Sequence, residues 1–119
     1  GFTAITENET PDAVINLLNT YLDTICKEII KHGGYIDKFI GDEVMGVFKD
    51  EYHLDKAIEA SLRILDAVKN IVPQGIKKYH PGVAIGINSG EVISGNIGSA
   101  EIKRLDYTVV GDVVNTAKR

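Results

Sequence analysis

Cysteine, tryptophan and proline are scarce in this chain of 119 residues, which has one cysteine, no tryptophan and three prolines. With a single cysteine, Cys26, no disulfide can form within the chain, which suits a reducing compartment. No apolar run approaches the ~20 residues needed to cross a bilayer, and no signal peptide is visible. Positive charge is not in excess either. The formal net charge is -4, which gives no support to nucleic acid or an anionic membrane as the partner.

The residues that are present fit one globular domain, with 44% hydrophobic and 25% charged residues. Thr10 is a good N-cap, Pro11 suits the first helical position, and apolar residues at helical spacing follow until Gly33-Gly34. A second helix is predicted from Leu54 to Val72, and the residues expected on its inner face are Ala57, Ile58, Ser61, Ile64, Leu65, Val68 and Ile71. These patterns predict two amphipathic helices that share a core.

Short β-like runs alternate with these helices. Tyr35 to Ile40 and Val44 to Phe48 predict a hairpin with an acidic tip at Gly41-Asp42-Glu43. The later segments are a strand at Val83 to Asn88, a loop at Gly95 to Ser99, a strand at Leu105 to Val110 and a helix from Val113 to Arg119. With a strand expected upstream of Gly1, the order is a ferredoxin-like βαββαβ arrangement, an α+β fold with helices on one face of the sheet. The other face would be solvated, ligand-bound or paired with another chain.

The tip of the predicted hairpin is the first candidate site. A carboxylate on a glycine-supported turn is held in place with little steric cover, which is how a hard cation such as Mg²⁺ is presented to a phosphate-bearing substrate. Asp42 occupies such a turn. The alternative is an ordinary solvated turn aspartate, and one Gly-Asp turn does not separate the two.

The end of the chain holds the second candidate site, where a strand runs through Gly111-Asp112 into a helix. Asn115 and Arg119 are four residues apart and therefore share one helix face. An amide and a guanidinium on one face can hold a ribose and a phosphate together. Taken alone, the pair is equally compatible with an exposed polar face.

Four segments in this order resemble the motifs of one enzyme family, the class III adenylate and guanylate cyclases. Gly1 to Thr3 is similar to the end of that family's N-terminal metal motif, and Lys38 to Phe48 to its central hairpin motif. Ile85 to Gly90 is similar to its glycine-marked strand, and Tyr107 to Arg119 to its C-terminal catalytic motif. The resemblance spans essentially the whole chain, and four motifs in register are far more specific than one.

The resemblance implies residue roles. Asp42 matches one of two aspartates that bind two divalent ions, Mg²⁺ or Mn²⁺. Asn115 matches the residue that orients the ribose, and Arg119 the arginine that stabilises charge on the reacting phosphate. Lys38 and Thr108 match the pair that reads the purine. Family members act as head-to-tail dimers with nucleotide sites between subunits, so a homodimer on the cytoplasmic side, with regulatory or sensor domains upstream, is expected.

Lys38 and Thr108 favour ATP over GTP. Lysine only donates and suits the N1 acceptor of adenine, while the threonine hydroxyl can accept from the 6-amino group. In the family, lysine at this position goes with ATP and glutamate with GTP. Lys38 is expected to share a strand face with Ile36 and Ile40. The sequence therefore predicts an adenylate cyclase that forms 3′,5′-cyclic AMP and pyrophosphate, with a guanylate cyclase as the alternative.

Some family features are missing between Gly1 and Arg119. The first metal aspartate is expected three residues upstream of Gly1, and the C-terminal strands downstream of Arg119, so the chain is expected to be an incomplete catalytic domain that does not cyclise ATP alone. Ala84 stands where many members have a basic residue, and Lys103 or Arg104 could compensate.

Two other functions were weighed. A diguanylate cyclase is disfavoured because Ile40 to Val44 lacks the second glycine and the aromatic residue of that signature. A catalytically inactive dimerisation or regulatory module would need none of Asp42, Lys38, Asn115 and Arg119.

Overall fold

The computed structural model describes residues 9–71, 82–99 and 104–119, and the chain divides into two compact units, residues 1–84 and 85–119. The first unit holds helix α1 (Pro11–Lys31), strands β1 (Tyr35–Ile40) and β2 (Glu43–Val47), and helix α2 (His53–Lys69). The second holds strands β3 (Ile93–Ser99) and β4 (Arg104–Val110) and helix α3 (Asp112–Lys118). Each strand pair forms an antiparallel two-stranded sheet. The predicted α+β class is confirmed.

Helix α1 begins and ends on residues that the sequence predicts. The Thr10 hydroxyl accepts a hydrogen bond from the Ala13 amide at 3.3 Å, and Pro11 follows at the first helical position. At the other end Gly33 has φ +86°, and the Gly34 amide donates to the Ile29 carbonyl at 2.9 Å. With the Gly33 amide bonded to Ile30, this is a Schellman motif, which satisfies the last carbonyls of the helix and turns the chain into β1.

The core of the first unit lies between α1, α2 and one face of the hairpin. Its buried residues are Leu17, Tyr21, Ile29, Ile64 and Val68. Ile36, Val44 and Phe48 of the hairpin region pack against this cluster. The predicted inner face of α2 is confirmed in part. Ile64 and Val68 are buried as predicted, together with Ala60, whereas Ile58 and Leu65 are 44% and 40% exposed.

One prediction about the second half is wrong and one is not tested. Residues 82–89 pair with no other described segment. Because a strand needs a hydrogen-bonded neighbour, and the strand expected near Gly1 lies outside the described residues, the strand at Val83 to Asn88 stays a prediction. Residues 95–99, expected to be a loop, are part of β3, whose register runs from Ile93 opposite Val110 to Ser99 opposite Arg104. Across the described ranges no helix is both long and apolar enough to span a membrane.

Candidate active site

Asp42 lies at the tip of the first hairpin, as the sequence predicts. Ile40 pairs with Glu43, so Gly41 and Asp42 form a two-residue loop. Gly41 has φ +59° and Asp42 does not have a positive φ, the pattern of a type II′ turn with glycine at its first central position. Asp42 is exposed, and an added Cβ on Gly41 would meet nothing within 4 Å. The turn therefore presents the carboxylate to solvent in a defined place.

The carboxylate of Asp42 can supply one oxygen ligand to a hard divalent cation. In residues 9–71, 82–99 and 104–119, no group of three or more His, Cys, Asp or Glu side chains is placed to hold a metal ion. Within the part of the chain that the structure describes, Asp42 thus supplies a single ligand rather than a complete metal site.

Lys38 lies on the face of the hairpin opposite to the one that packs on α1. Ile36 pairs with Gly46, whose added Cβ would lie 2.9 Å from the Ile29 side chain of α1, so this pair faces the helix. Between Ile36 and Lys38 the register shifts, and Lys38 pairs with Met45. Because Met45 and Gly46 are consecutive, their side chains point to opposite faces. The expectation that Lys38 shares a face with Ile36 is therefore wrong.

The shift is a β-bulge at Asp37, and it brings two neighbouring side chains together. The Asp37 Oδ2 atom lies 3.6 Å from the Lys38 Nζ atom. The Asp37 side chain is 1% exposed and that of Lys38 is 40% exposed. The ammonium group is thus reachable from solvent while the carboxylate beside it is buried.

Thr108 is a central residue of β4 and is only 5% exposed. Its partner on β3 is Gly95, and an added Cβ on that glycine would have open space around it. The next residue, Val109, is also buried. A ligand that uses the Thr108 hydroxyl would therefore meet a nearly enclosed group.

Asn115 and Arg119 lie one turn apart at the end of the second unit, as the spacing predicts. The backbone N–H of Asn115 donates to the backbone carbonyl of Gly111 at 3.4 Å. The backbone N–H of Arg119 donates to the backbone carbonyl of Asn115 at 3.2 Å. Both residues are exposed. Arg119 directly follows α3 as its C-cap residue, so an amide and a guanidinium lie one turn apart at the end of this helix with access from solvent.

The segment before β3 packs closely on α3, a feature that sequence reasoning missed. The Asn88 Nδ2 atom donates to the Val113 carbonyl at 3.2 Å. An added Cβ on Gly90 would lie 2.6 Å from a methyl of Val113, and one on Gly86 would clash with the Ala117 carbonyl. The signal in the sequence is the pair of glycines four residues apart, since glycine permits close backbone approach.

The predicted site residues thus fall into two groups. Lys38 and Asp42 stand on one hairpin of the first unit, and Thr108, Asn115 and Arg119 stand in the second. Ala84 is exposed. The segment Gly1 to Thr3 and Lys103 lie outside the described residues, as does the Arg104 side chain.

Comparison with known proteins gives one family. The adenylate and guanylate cyclase catalytic domain matches residues 1–119. The chain is 36% identical over 121 residues to the "Adenylate cyclase, terminal-differentiation specific" of Dictyostelium discoideum, covering 99% of this chain and 6% of that protein.

Two solved structures are also similar over 100% of this chain. A bacterial light-regulated adenylyl cyclase matches with 35% identity and a TM-score of 0.86, and the chain covers 35% of it. The guanylyl cyclase Cya2 matches with 33% identity and a TM-score of 0.82, and the chain covers 62% of it. The chain spans less than two thirds of each of these relatives. A match over its whole length nevertheless decides the family, and this chain belongs to the adenylate and guanylate cyclase catalytic domain family.

Proposed function

We propose that this chain supplies the catalytic domain of an adenylate cyclase, which converts ATP to 3′,5′-cyclic AMP and pyrophosphate for intracellular signalling. The observation that carries the proposal is the first hairpin. Lys38 stands on the face turned away from α1, four residues before Asp42 at the exposed tip. One hairpin thus carries a base reader for one nucleotide site and a metal ligand for the second site of a head-to-tail dimer.

The base reading rests on donors and acceptors. The Lys38 ammonium can only donate, which matches N1 of adenine and opposes the N1–H of guanine. Thr108 would accept from the 6-amino group, and its low exposure means that the base must reach a nearly enclosed hydroxyl. An enclosed hydroxyl of this kind meets the base at one defined place, so the choice between bases depends on whether the base presents a donor there.

Cyclisation requires the ribose 3′ oxygen to attack the α-phosphate in line while pyrophosphate leaves. Asp42 would be one ligand of two divalent ions, Mg²⁺ or Mn²⁺. When bound, such ions lower the pKa of the 3′ hydroxyl and neutralise the triphosphate. Asn115 would hold the ribose, and Arg119 on the same helix face would meet the charge that develops on the phosphate. Positioning is then most of what the protein contributes.

A head-to-tail homodimer would assemble these groups. Each site would take Asp42 from one subunit and Lys38, Thr108, Asn115 and Arg119 from the other, so a two-fold axis creates two equal sites. We further propose that the parent protein carries regulatory or sensor domains upstream. Because ATP is the substrate, the catalytic domain would act on the cytoplasmic side.

Complementation tests the shared site. In the full-length protein, Asp42→Ala and Asn115→Ala should each abolish cyclic AMP formation, whereas a mixture should regain activity because each heterodimer has one intact site. As a matched control, mixing Asp42→Ala with Arg119→Ala should also recover, and a chain with both Asp42→Ala and Asn115→Ala should not rescue either single variant. Mixed dimers that form and stay inactive would refute the division of residues.

Guanylate cyclase is the second candidate, favoured by the 33% identity to a guanylyl cyclase. Parallel turnover of ATP and GTP by the full-length protein decides between them. A kcat/KM for GTP above that for ATP would overturn the assignment of Lys38 as an adenine reader. If neither nucleotide is turned over while both subunits dimerise, the chain is an inactive regulatory module.

A further inference from the structure

We propose that Asp37 is a positioning residue that holds the Lys38 ammonium in place for reading the purine. The inference rests on the proposed function, because it needs Lys38 to contact the base. It assigns to Asp37 a share of the choice between ATP and GTP, although Asp37 itself would not touch the nucleotide.

The geometry comes from the bulge in β1. In a regular strand consecutive side chains point to opposite faces, so the Asp37 carboxylate and the Lys38 ammonium would be held apart. Asp37 is the extra residue of the bulge, with Ile36 and Lys38 paired on either side of it. Such an insertion re-aims the side chains next to it. As a result Oδ2 of Asp37 lies 3.6 Å from Nζ of Lys38.

The two side chains differ in exposure, and this difference indicates which of them can restrain the other. The Asp37 side chain is 1% exposed and is therefore held by its surroundings, while the Lys38 side chain is 40% exposed and open on one side. A fixed charge next to a flexible one restrains the flexible one. The four-carbon stem of lysine has many rotamers, so this restraint removes much of the freedom of the ammonium group.

A restrained ammonium group discriminates better between adenine and guanine than a freely moving one. Held near Asp37, the Lys38 ammonium donates from one direction, which suits the N1 acceptor of adenine. Without this restraint, the ammonium group could turn to the O6 or N7 acceptors of guanine or to a phosphate oxygen. The kcat/KM for GTP would then fall less than the kcat/KM for ATP. Order present before binding also reduces the entropy lost when ATP binds.

The test is the ratio of ATP to GTP preference in the full-length protein. Asp37→Asn keeps the size of the side chain and removes its charge. We expect this change to lower the ratio of kcat/KM for ATP over GTP by about tenfold, which corresponds to ~1.4 kcal/mol. Binding of 3′-deoxy-ATP and 3′-deoxy-GTP, which lack the attacking hydroxyl, should shift by a similar factor and provides a readout without turnover.

Two further variants separate positioning from a merely structural role. Glu28→Gln is the matched control, since Glu28 is another partly buried carboxylate of the same unit and pairs with His32 at 3.6 Å instead of with Lys38. It should leave the ATP to GTP ratio unchanged. Asp37→Glu keeps the charge and should recover part of the ratio that Asp37→Asn loses.

A double-mutant cycle completes the test. If Asp37 acts through Lys38, Asp37→Asn should lower the ratio no further once Lys38 is alanine. An equal loss in both backgrounds would overturn the proposal. An unchanged ratio in Asp37→Asn, with a lowered one in Lys38→Ala, overturns this inference alone. If Lys38→Ala also keeps the ratio, Lys38 does not select the base, which overturns both that part of the proposed function and this inference.

Discussion

Gly86→Ala tests whether the packing of residues 86–90 against α3 positions the catalytic side chains. An added Cβ on Gly86 would overlap the Ala117 carbonyl oxygen and lie 3.1 Å from its carbonyl carbon. These are backbone atoms of α3, so no side-chain rotation can relieve the clash. Because carbon and oxygen atoms in contact lie about 3.3 Å apart or more, α3 or the facing segment must move by roughly 1 Å.

The expected result follows from what α3 carries. Asn115 lies on this helix and Arg119 directly follows it, and a misplacement of ~1 Å in a positioning group can cost about 100-fold in rate. We therefore expect Gly86→Ala to lower kcat for cyclic AMP formation by about 100-fold while the free energy of unfolding falls by only ~1–3 kcal/mol, the usual cost of overpacking.

The assay is steady-state turnover of ATP by the full-length protein, with thermal unfolding measured on the same samples. Gly82→Ala is the matched control, because an added Cβ there meets nothing within 4 Å. It should change kcat by less than about twofold, in line with the small effect of exposed substitutions. A Gly86→Ala protein that keeps kcat within twofold of the parent would show that α3 tolerates the clash and that its packing does not set the geometry.

Three further predictions concern single side chains. Lys38→Glu sets an acceptor against N1 of adenine and should lower kcat/KM for ATP by at least ~100-fold. ATP turnover within a few-fold of the parent would remove Lys38 from the base site. Arg119→Ala should reduce kcat by roughly 100-fold or more with a smaller change in KM, because its charge meets the transition state. A rise in KM alone would mean that Arg119 binds the nucleotide equally well in the ground state and in the transition state. Burial, and then the nearby Asp23 carboxylate, raise the pKa of the Cys26 thiol, so a higher pH is needed for the same thiolate fraction. Alkylation of the folded protein at pH 8 should be several-fold slower than that of an unfolded sample, since the thiolate is the nucleophile, and equal rates would contradict this.

Local structure in the first unit was largely predictable, because local rules decide it. The Thr10 cap, Pro11 and the Gly33 end of α1 act within a few residues of the chain. The same is true of the two-residue turn that presents Asp42. The spacing of Asn115 and Arg119 on α3 also follows from helix geometry alone.

The features that local patterns predicted less well depend on partners distant in sequence. Gly95 to Ser99 has loop composition, yet it is strand because β4 supplies the hydrogen-bonded neighbour. Periodicity placed Ile58, Ile64, Leu65 and Val68 on the apolar side of α2, and packing buries Ile64 and Val68 with Ala60 while Ile58 and Leu65 stay partly exposed.

The sequence by itself determined the family, the α+β class and the residue types available for chemistry, because ordered motifs and helix caps are written in short stretches. Only the tertiary structure decided which way those residues point. The bulge at Asp37 turns Lys38 away from α1 and toward the open face of the hairpin. Strand pairing decides this orientation, since one extra residue in a strand of period two exchanges its faces.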